Sequence, residues 1–274
     1  MARKLISMML IILLSVSYVS AEEAKAENPH IELLKGIGLI TGDYPDGITR
    51  GEFAGILARM FDAFTASDTA DCYFYDVKSG DAYAKDINKL TAMSIISGSG
   101  NRMYLPDQKI TLLDASVLLI KVLGYEIQAQ QNGGYPSGYL LTASQIGLYK
   151  NVSQGSDSAN VLEAVYNSLK ISLFEQSVWG DKINYVKNQD ATILKNLLKI
   201  YTINGTVNAV GDISLFDDVK ASKNEVLIDS LDIQFEPALE SRMIDSVGMK
   251  GTAYYKQDND IRTLVYFSQD SANQ

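Results

Sequence analysis

An internal repeat constrains the fold of this chain more than any other feature of its sequence. In three separate segments apolar residues recur every three positions, which is the spacing of one face of a helix. Each segment closes near a residue that favours a turn, Gly42, Gly98 or Asn151, so each predicts a short helix with a left-handed stop. The three sets are Ile31, Leu34, Ile37 and Ile40; Ile87, Leu90, Met93 and Ile96; and Leu140, Ala143, Ile146 and Tyr149.

A second apolar stripe follows each turn and has the wider pattern of a helix that faces a core. One such unit is too small to bury its own stripes, so we expect all three to pack as one helical body over residues 28–175. The units cover about residues 28–66, 72–125 and 134–175. The second stripes are Phe53, Ile56, Leu57, Met60 and Phe61; Ala115, Leu118, Leu119, Val122 and Leu123; and Val161, Ala164, Val165, Ser168 and Leu169.

Short motifs between these stripes follow one another in a fixed order. They are Ile48-Thr49-Arg50-Gly51-Glu52-Phe53, Phe74-Tyr75-Asp76-Val77, Tyr83-Ala84, Ile95-Ile96-Ser97-Gly98 and Tyr104-Leu105-Pro106. Together they resemble the S-layer homology (SLH) domain family, whose repeat runs Phe-x-Asp-Val, Trp-Ala, an apolar helix ending in Gly-x-Ile-x-Gly, Phe-x-Pro and Thr-Arg-Ala-Glu-Phe-Ala. The resemblance predicts an α+β chain in which a pseudo-threefold SLH helical bundle precedes a small β-domain.

The same resemblance implies a ligand and a set of contact residues. SLH triplets bind secondary cell-wall polysaccharide of bacteria, often a pyruvylated one, in grooves between repeats. By resemblance Arg50 is the first candidate, because a planar guanidinium at the positive end of a helix suits a carboxylate. Thr49 and Glu52 are further candidates, although a capping box explains both without a ligand. Arg50 could instead pair with an acid of the chain.

The sequence also departs from the family pattern. Leu112 and Ser158 stand where the second and third repeats would carry arginine, so one groove at most keeps the family's arginine. Tyr83 replaces the usual tryptophan and can still stack on a sugar ring. Asp76 can accept sugar hydroxyl groups or cap a turn. We therefore predict Arg50, Thr49, Glu52, Asp76 and Tyr83 as polysaccharide-binding residues, with Asp76 and Tyr83 open between ligand and scaffold.

Charge and composition exclude several classes of function. The chain has 24 Lys and Arg against 33 Asp and Glu, a net charge of −9, which disfavours nucleic acid as a partner. A single cysteine and a single histidine leave no internal disulfide and no His-rich metal site. Adjacent acids such as Asp217 and Asp218 fall in polar turns. We predict no catalytic residues, no metal and no cofactor, and therefore no enzyme.

The first 21 residues have the pattern of a secretory signal peptide. Arg3 and Lys4 precede an apolar run from residue 5 to residue 16, and Val19-Ser20-Ala21 then places small residues at the −3 and −1 positions of a cleavage site. No later apolar stretch is long enough to span a membrane. We expect a secreted protein of the bacterial cell wall or S-layer, without an integral membrane segment after cleavage.

Beyond residue 175 the pattern changes. Residues 176–198 are expected to form a linker and a helix, with the helix at 190–200. From Tyr201 polar and apolar residues alternate, which predicts a small antiparallel β-domain over residues 199–268 with a hairpin near its end.

Three hypotheses of function follow. The leading one is a non-catalytic anchoring protein that binds secondary cell-wall polysaccharide. The second is a structural protein of a surface assembly that contacts other surface-layer proteins and binds no glycan. The third is an exported polysaccharide-active enzyme, for which the C-terminal part shows no convincing acid pair or nucleophile.

Overall fold

The computed structural model describes residues 28–61, 72–153, 155–179 and 182–270. The predicted signal peptide lies outside these residues. Helices occupy the N-terminal part and strands the C-terminal part, which confirms the α+β class. The helices of the first part are α1 (Pro29–Gly36), α2 (Arg50–Arg59), α3 (Ala84–Ala92), α4 (Leu112–Val122), α5 (Glu126–Gln131), α6 (Ser137–Ile146) and α7 (Ser158–Ser168).

The second part starts with a hairpin of two strands and continues into a six-stranded sheet. A π turn (Ile193–Leu197) separates the hairpin from the sheet, and a 3-10 turn (Pro237–Leu239) leads into a short helix. The elements are β1 (Ser172–Trp179), β2 (Lys182–Thr192), β3 (Ile200–Val210), β4 (Ile213–Ser214), β5 (Glu225–Ile228), β6 (Leu231–Gln234), α8 (Glu240–Asp245), β7 (Lys250–Asp258) and β8 (Ile261–Gln269).

The first helix of each unit ends by the same backbone motif. Gly38, Ser94 and Gly147 all have positive φ, at 78°, 60° and 84°. The next residue of each unit returns its N–H to a carbonyl of the last helical turn: Leu39 to Leu34, Ile95 to Leu90 and Leu148 to Ala143, each at 2.9 Å. This is the bond pattern of a Schellman stop. The helices therefore end before the turns predicted at Gly42, Gly98 and Asn151, because the left-handed residue comes earlier and is a serine in the second unit.

The second helix of each unit begins with the same kind of cap. Side-chain oxygens of Thr49, Thr111 and Asp157 accept the N–H three residues on, at 3.1, 3.0 and 2.8 Å. Such a bond satisfies one of the N–H groups that a helix start leaves without a partner. The three caps stand at the positions that the repeat pattern aligns, so the local plan of the units recurs.

A short strand-like pairing joins the first unit to the second. Thr49 and Lys109 form an isolated antiparallel bridge. The Arg50 N–H donates to the Gln108 carbonyl and the Ile110 N–H donates to the Ile48 carbonyl, both at 2.8 Å. These bonds hold the start of α2 against the loop that leads into α4.

The chain's one histidine joins the first helix to the last helix of the bundle. His30 Nδ1 lies 2.7 Å from Glu163 Oε2, and the His30 ring stacks on Tyr166 with centroids 3.7 Å apart. The Glu163 side chain is only 8% exposed, and its Oε1 is buried with no hydrogen-bond partner among the described residues. The contact between α1 and α7 closes the ring of helices.

One apolar core runs through all three units and continues into the base of the β part. Leu34, Phe53, Leu90 and Leu119 are fully buried in it. Ile193, Ile200 and Tyr254 belong to the same cluster, and the Tyr266 ring lies directly on Gly36. The helices and the sheet therefore share a hydrophobic boundary.

The helix predicted at residues 190–200 is wrong. Residues 182–192 form β2, which pairs with β1 from Trp179↔Lys182 to Ser172↔Thr192. The apolar residues that suggested a helical face make a single π turn instead, with Ile193 and Leu194 buried. The hairpin gave no alternating pattern because residues on both of its strands, such as Glu175, Tyr185 and Val186, are exposed.

The β part closes on itself as a small barrel. Residues 200–206 of β3 pair with β7, and residues 207–210 pair with β5. β5 pairs with β6, and β7 pairs with β8 as the predicted hairpin. The antiparallel character is confirmed, apart from a parallel pairing of β6 with β8 at Gln234↔Thr263. The barrel core consists of Val207, Val210, Val226, Ile228, Ile233, Phe235, Met243, Ala253, Leu264 and Phe267.

Replacing His30 tests the closure of the helical ring. His30→Ala should lower the free energy of unfolding by about 2 kcal/mol, because it leaves the buried Glu163 carboxyl group without its hydrogen-bond partner. Urea denaturation measures this change. The double variant His30→Ala with Glu163→Leu should recover part of the loss, since no buried polar group is then left unpaired. A double variant less stable than the single variant would contradict this account.

Gly98→Ala tests the packing of the loop that follows α3. Gly98 has φ +76°, and an added Cβ would meet Phe74 Cε1 at 2.5 Å and the Met103 carbonyl oxygen at 2.7 Å. We expect a loss of about 2 kcal/mol or more in the free energy of unfolding. Gly80→Ala is the matched control, because nothing lies within 4 Å of its added Cβ. Equal stability of the two variants would contradict the prediction.

Candidate functional site

A groove of about 430 Å³ is lined by residues of the first two units and by Tyr135 of the third, and it is the candidate ligand site. Its walls come from the start of α2, the loop that follows α3, the outer face of α4 and Tyr135 before α6. The lining residues are Arg50, Ile96, Ser97, Gly98, Ser99, Tyr104, Gln108, Asp114, Val117, Leu118, Lys121 and Tyr135.

Arg50 is fixed in this groove by contacts on several sides. Its Nε donates to the Tyr104 carbonyl at 2.8 Å, and its guanidinium carbon lies 4.9 Å from the centre of the Tyr104 ring. Nη1 is 3.8 Å from Asp114 Oδ2, which is ion-pair range but too long for a hydrogen bond. The side chain is 13% exposed. The guanidinium is therefore preorganised and keeps donor groups for a ligand.

Tyr104 contacts Arg50 through both its ring and its hydroxyl group. The Tyr104 hydroxyl donates to the Arg50 carbonyl at 2.8 Å, and the residue is 1% exposed. Burial raises the pKa of this hydroxyl, so it stays protonated and keeps donating. Arg50 and Tyr104 thus hold each other through backbone and side chain, which ties the start of α2 to the second unit.

Thr49 and Glu52 form the capping box that the sequence suggested. Thr49 Oγ1 accepts from the Glu52 N–H at 3.1 Å, and Glu52 Oε2 accepts from the Thr49 N–H at 2.7 Å. Both side chains are therefore used at the helix start. Neither lines the groove beside Arg50. Their role as ligand contacts stays a prediction.

Asp76 stabilises the backbone turn at Tyr104 and Leu105. Its two carboxylate oxygens accept from the N–H groups of Tyr104 and Leu105, at 2.8 and 2.6 Å. Leu105 has φ +60°, an unfavourable backbone angle for a residue with a side chain, so these bonds stabilise a strained turn. Asp76 thus positions Tyr104, and through it Arg50, from outside the groove.

Tyr83 packs against α2. Its ring lies so close to Gly51 that an added Cβ there would be 2.7 Å from Tyr83 Cδ2. Burial raises the pKa of the Tyr83 hydroxyl. With Asp76 and Asp107 it lines a separate pocket of about 280 Å³. The structure therefore places Asp76 and Tyr83 together, apart from the Arg50 groove, and leaves their contact with a ligand a prediction.

Several lining residues of the groove were not predicted from the sequence. Asp114, Val117, Leu118 and Lys121 all lie on one face of α4. Their spacing of three, four and seven positions is a helical signal that was available in the sequence. The Lys121 side chain is 15% exposed, and its Nζ lies 3.5 Å from Glu126 Oε1. Tyr135 is 63% exposed and meets Tyr139 edge to face.

A second cleft, about 390 Å³, lies between the helical body and the barrel. Arg59 in this cleft donates from Nε to the Leu39 carbonyl at 2.7 Å. Lys89 donates to the carbonyls of Ala58 and Phe61 at the end of α2. These cations bind backbone carbonyls near a negative helix end.

Neither a metal site nor a membrane-spanning helix is found among the residues that the structure describes. No group of three or more His, Cys, Asp or Glu side chains there is arranged to hold a metal ion. None of the helices there combines the length and the apolar character that crossing a bilayer requires.

Comparison with known proteins gives a family and two relatives. The sequence model of the S-layer homology domain matches residues 73–115, which cover most of the second unit. The "Middle cell wall protein" of Brevibacillus brevis is 25% identical over 182 residues, which are 62% of this chain and 17% of the relative. The "Surface layer protein" of Brevibacillus choshinensis is also 25% identical over 182 residues, 62% of this chain and 16% of the relative.

The chain thus spans about one sixth of the length of these relatives. The family match includes Asp76, Tyr83, Tyr104 and Asp114 and ends before Lys121. The first and third units lie outside it, so their assignment as SLH repeats stays a prediction. The order of motifs, the recurring caps and the family match agree, and the chain therefore contains an S-layer homology domain.

Proposed function

We propose that this chain is a non-catalytic surface protein that attaches to the bacterial cell wall by binding wall polysaccharide in the groove beside Arg50. The observation that carries the proposal is the fixed guanidinium of Arg50 in the wall of a groove of about 430 Å³. A side chain already held in one conformation loses little entropy when a ligand binds. Arg50 can therefore contact a ligand with little loss of side-chain entropy.

The comparisons support a place at the cell surface. Residues 73–115 match the S-layer homology domain, and the two relatives are named as a cell-wall protein and a surface-layer protein. A chain with a net charge of −9 is repelled by an anionic wall. Attachment then needs a local site that overcomes this repulsion, and the groove offers one.

The chemistry of the groove favours a saccharide that carries a carboxylate. Arg50 and Lys121 supply two cations, and Gln108 and Ser99 add polar groups along the walls. The exposed Tyr135 ring offers a face on which a sugar can stack. A pyruvylated wall polysaccharide, the ligand that the family resemblance implies, has both features.

A second candidate function is contact with other surface-layer proteins, and the β1–β2 hairpin favours it. A hairpin of two strands is marginally stable in water without a packing partner. Its base is held by the Phe174 N–H, which donates to the Leu123 carbonyl at 2.9 Å. Further out, Tyr185 and Val186 are 39% and 47% exposed. Such a ribbon is suited to protein contacts without a glycan.

Substitution of Arg50 tests the proposed glycan site. Arg50→Gln should weaken co-sedimentation of the purified chain with bacterial wall sacculi by about ten-fold or more, because a charge-assisted contact is lost. Arg50→Lys should weaken it less, since the charge remains but the planar fork is lost. Removing the secondary polysaccharide from the sacculi should abolish binding of the unchanged chain.

Arg102→Gln is the matched control for Arg50→Gln. Arg102 stacks on the exposed rings of Tyr73 and Tyr75, away from the groove, so its loss should leave sedimentation unchanged. Thermal unfolding of each variant separates lost binding from lost folding. Binding that survives both Arg50→Gln and removal of the polysaccharide would reject the glycan site and favour protein contacts.

A further inference from the structure

Asp114 stands opposite Arg50 across the groove. Its Oδ2 is 3.8 Å from Arg50 Nη1, and its side chain is 37% exposed. Both residues line the same groove, one at the start of α2 and the other in the first turn of α4. The acid and the guanidinium are therefore neighbours in the wall of one groove.

The reason for this orientation is found in the two helix caps. In α2 the acid at the third helical position is Glu52, which returns its carboxylate to the Thr49 N–H. In α4 the corresponding acid is Asp114, one methylene shorter. At that helix start Thr111 Oγ1 accepts from the Asp114 N–H and Ser156 Oγ accepts from the Leu112 N–H. Among the described residues, Asp114 makes no return bond like that of Glu52. The Asp114 carboxylate is thus not held at its own helix start and is directed to Arg50.

Arg50 and Asp114 carry opposite charges but form no hydrogen bond with each other. At 3.8 Å Arg50 Nη1 and Asp114 Oδ2 attract each other but are too far apart for a hydrogen bond. Nε of Arg50 is already used by the Tyr104 carbonyl. A ligand carboxylate that binds the remaining donors of Arg50 must therefore approach Asp114, a like charge.

We propose that Asp114 is an internal competitor for Arg50 that lowers the affinity of the groove for acidic saccharides and so sets its selectivity. This rests on the proposed function, since it concerns a ligand of the same groove. A small anion with a single carboxylate gains little binding free energy, because Asp114 already interacts with Arg50 and repels a second carboxylate. A ligand that also reaches Lys121 or stacks on Tyr135 gains further contacts, so the competitor discriminates against small anions.

The test uses two sugars that differ in one group, D-glucuronate and D-glucose, as probes of the purified chain. Binding is followed by the NMR signal of the Arg50 Nε–H during titration. Asp114→Asn keeps the size of the side chain and removes its charge. We expect it to tighten glucuronate binding about three-fold relative to the unchanged chain and to leave glucose binding unchanged.

Asp107→Asn is the matched control, because it removes the same charge from an exposed residue that does not line the groove. It should bind glucuronate as the unchanged chain does. Equal affinity of Asp114→Asn and Asp107→Asn for glucuronate would overturn the proposal, and so would weaker binding by Asp114→Asn. Equal gains for glucose and glucuronate would also overturn it, since the effect would then not depend on the ligand's charge.

Co-sedimentation with sacculi separates this inference from the proposed function. If the unchanged chain fails to sediment while Asp114→Asn still gains three-fold for glucuronate, the wall-binding function is rejected and the role of Asp114 stands. If the unchanged chain sediments through its polysaccharide and Asp114→Asn gains nothing for glucuronate, the function stands and the role of Asp114 is rejected.

Discussion

The structure depends on burying helical stripes that no single unit can cover. The paired helices of each unit run for only 8 to 11 residues, which is too short for stability in isolation. Each unit must therefore pack on its neighbours, and one apolar core passes through all of them. The stack between His30 and Tyr166 closes the arrangement by bringing the first helix against the last.

The groove is a consequence of that packing. Tyr104 fills the junction of the first two units, and its hydroxyl and carbonyl both contact Arg50. Asp76 holds the turn that carries Tyr104. Tyr104, held in place by Asp76, thus both packs the first two units together and fixes the Arg50 guanidinium. Folding stability and the proposed binding therefore depend on the same residues. A loss of binding in this region therefore has to be separated from a loss of folding.

Local signals predicted much of the helical part. The capping box of Thr49 and Glu52 was predicted from their spacing of three, and the structure adds equivalent caps at Thr111 and Asp157. The stop at Ser94 was hidden, because a left-handed residue is expected to be glycine or asparagine and serine carries no such signal. The hairpin of β1 and β2 was also hidden. Its exposed faces carry no alternation of polar and apolar residues, and the buried Ile193 and Leu194 that follow it imitate a helix.

The sequence by itself indicated the repeated units, the capping box of Thr49 and Glu52, the family resemblance and Arg50 as the leading candidate contact. These depend on residues a few positions apart, whose relation is fixed by helical geometry. Only the tertiary structure decided that Arg50 shares a groove with Asp114, Lys121 and Tyr135, while Asp76 and Tyr83 lie outside it. The physical reason is that Arg50, Asp114 and Tyr135 belong to three different units. Their meeting depends on how the shared core packs the units together, which no local pattern records.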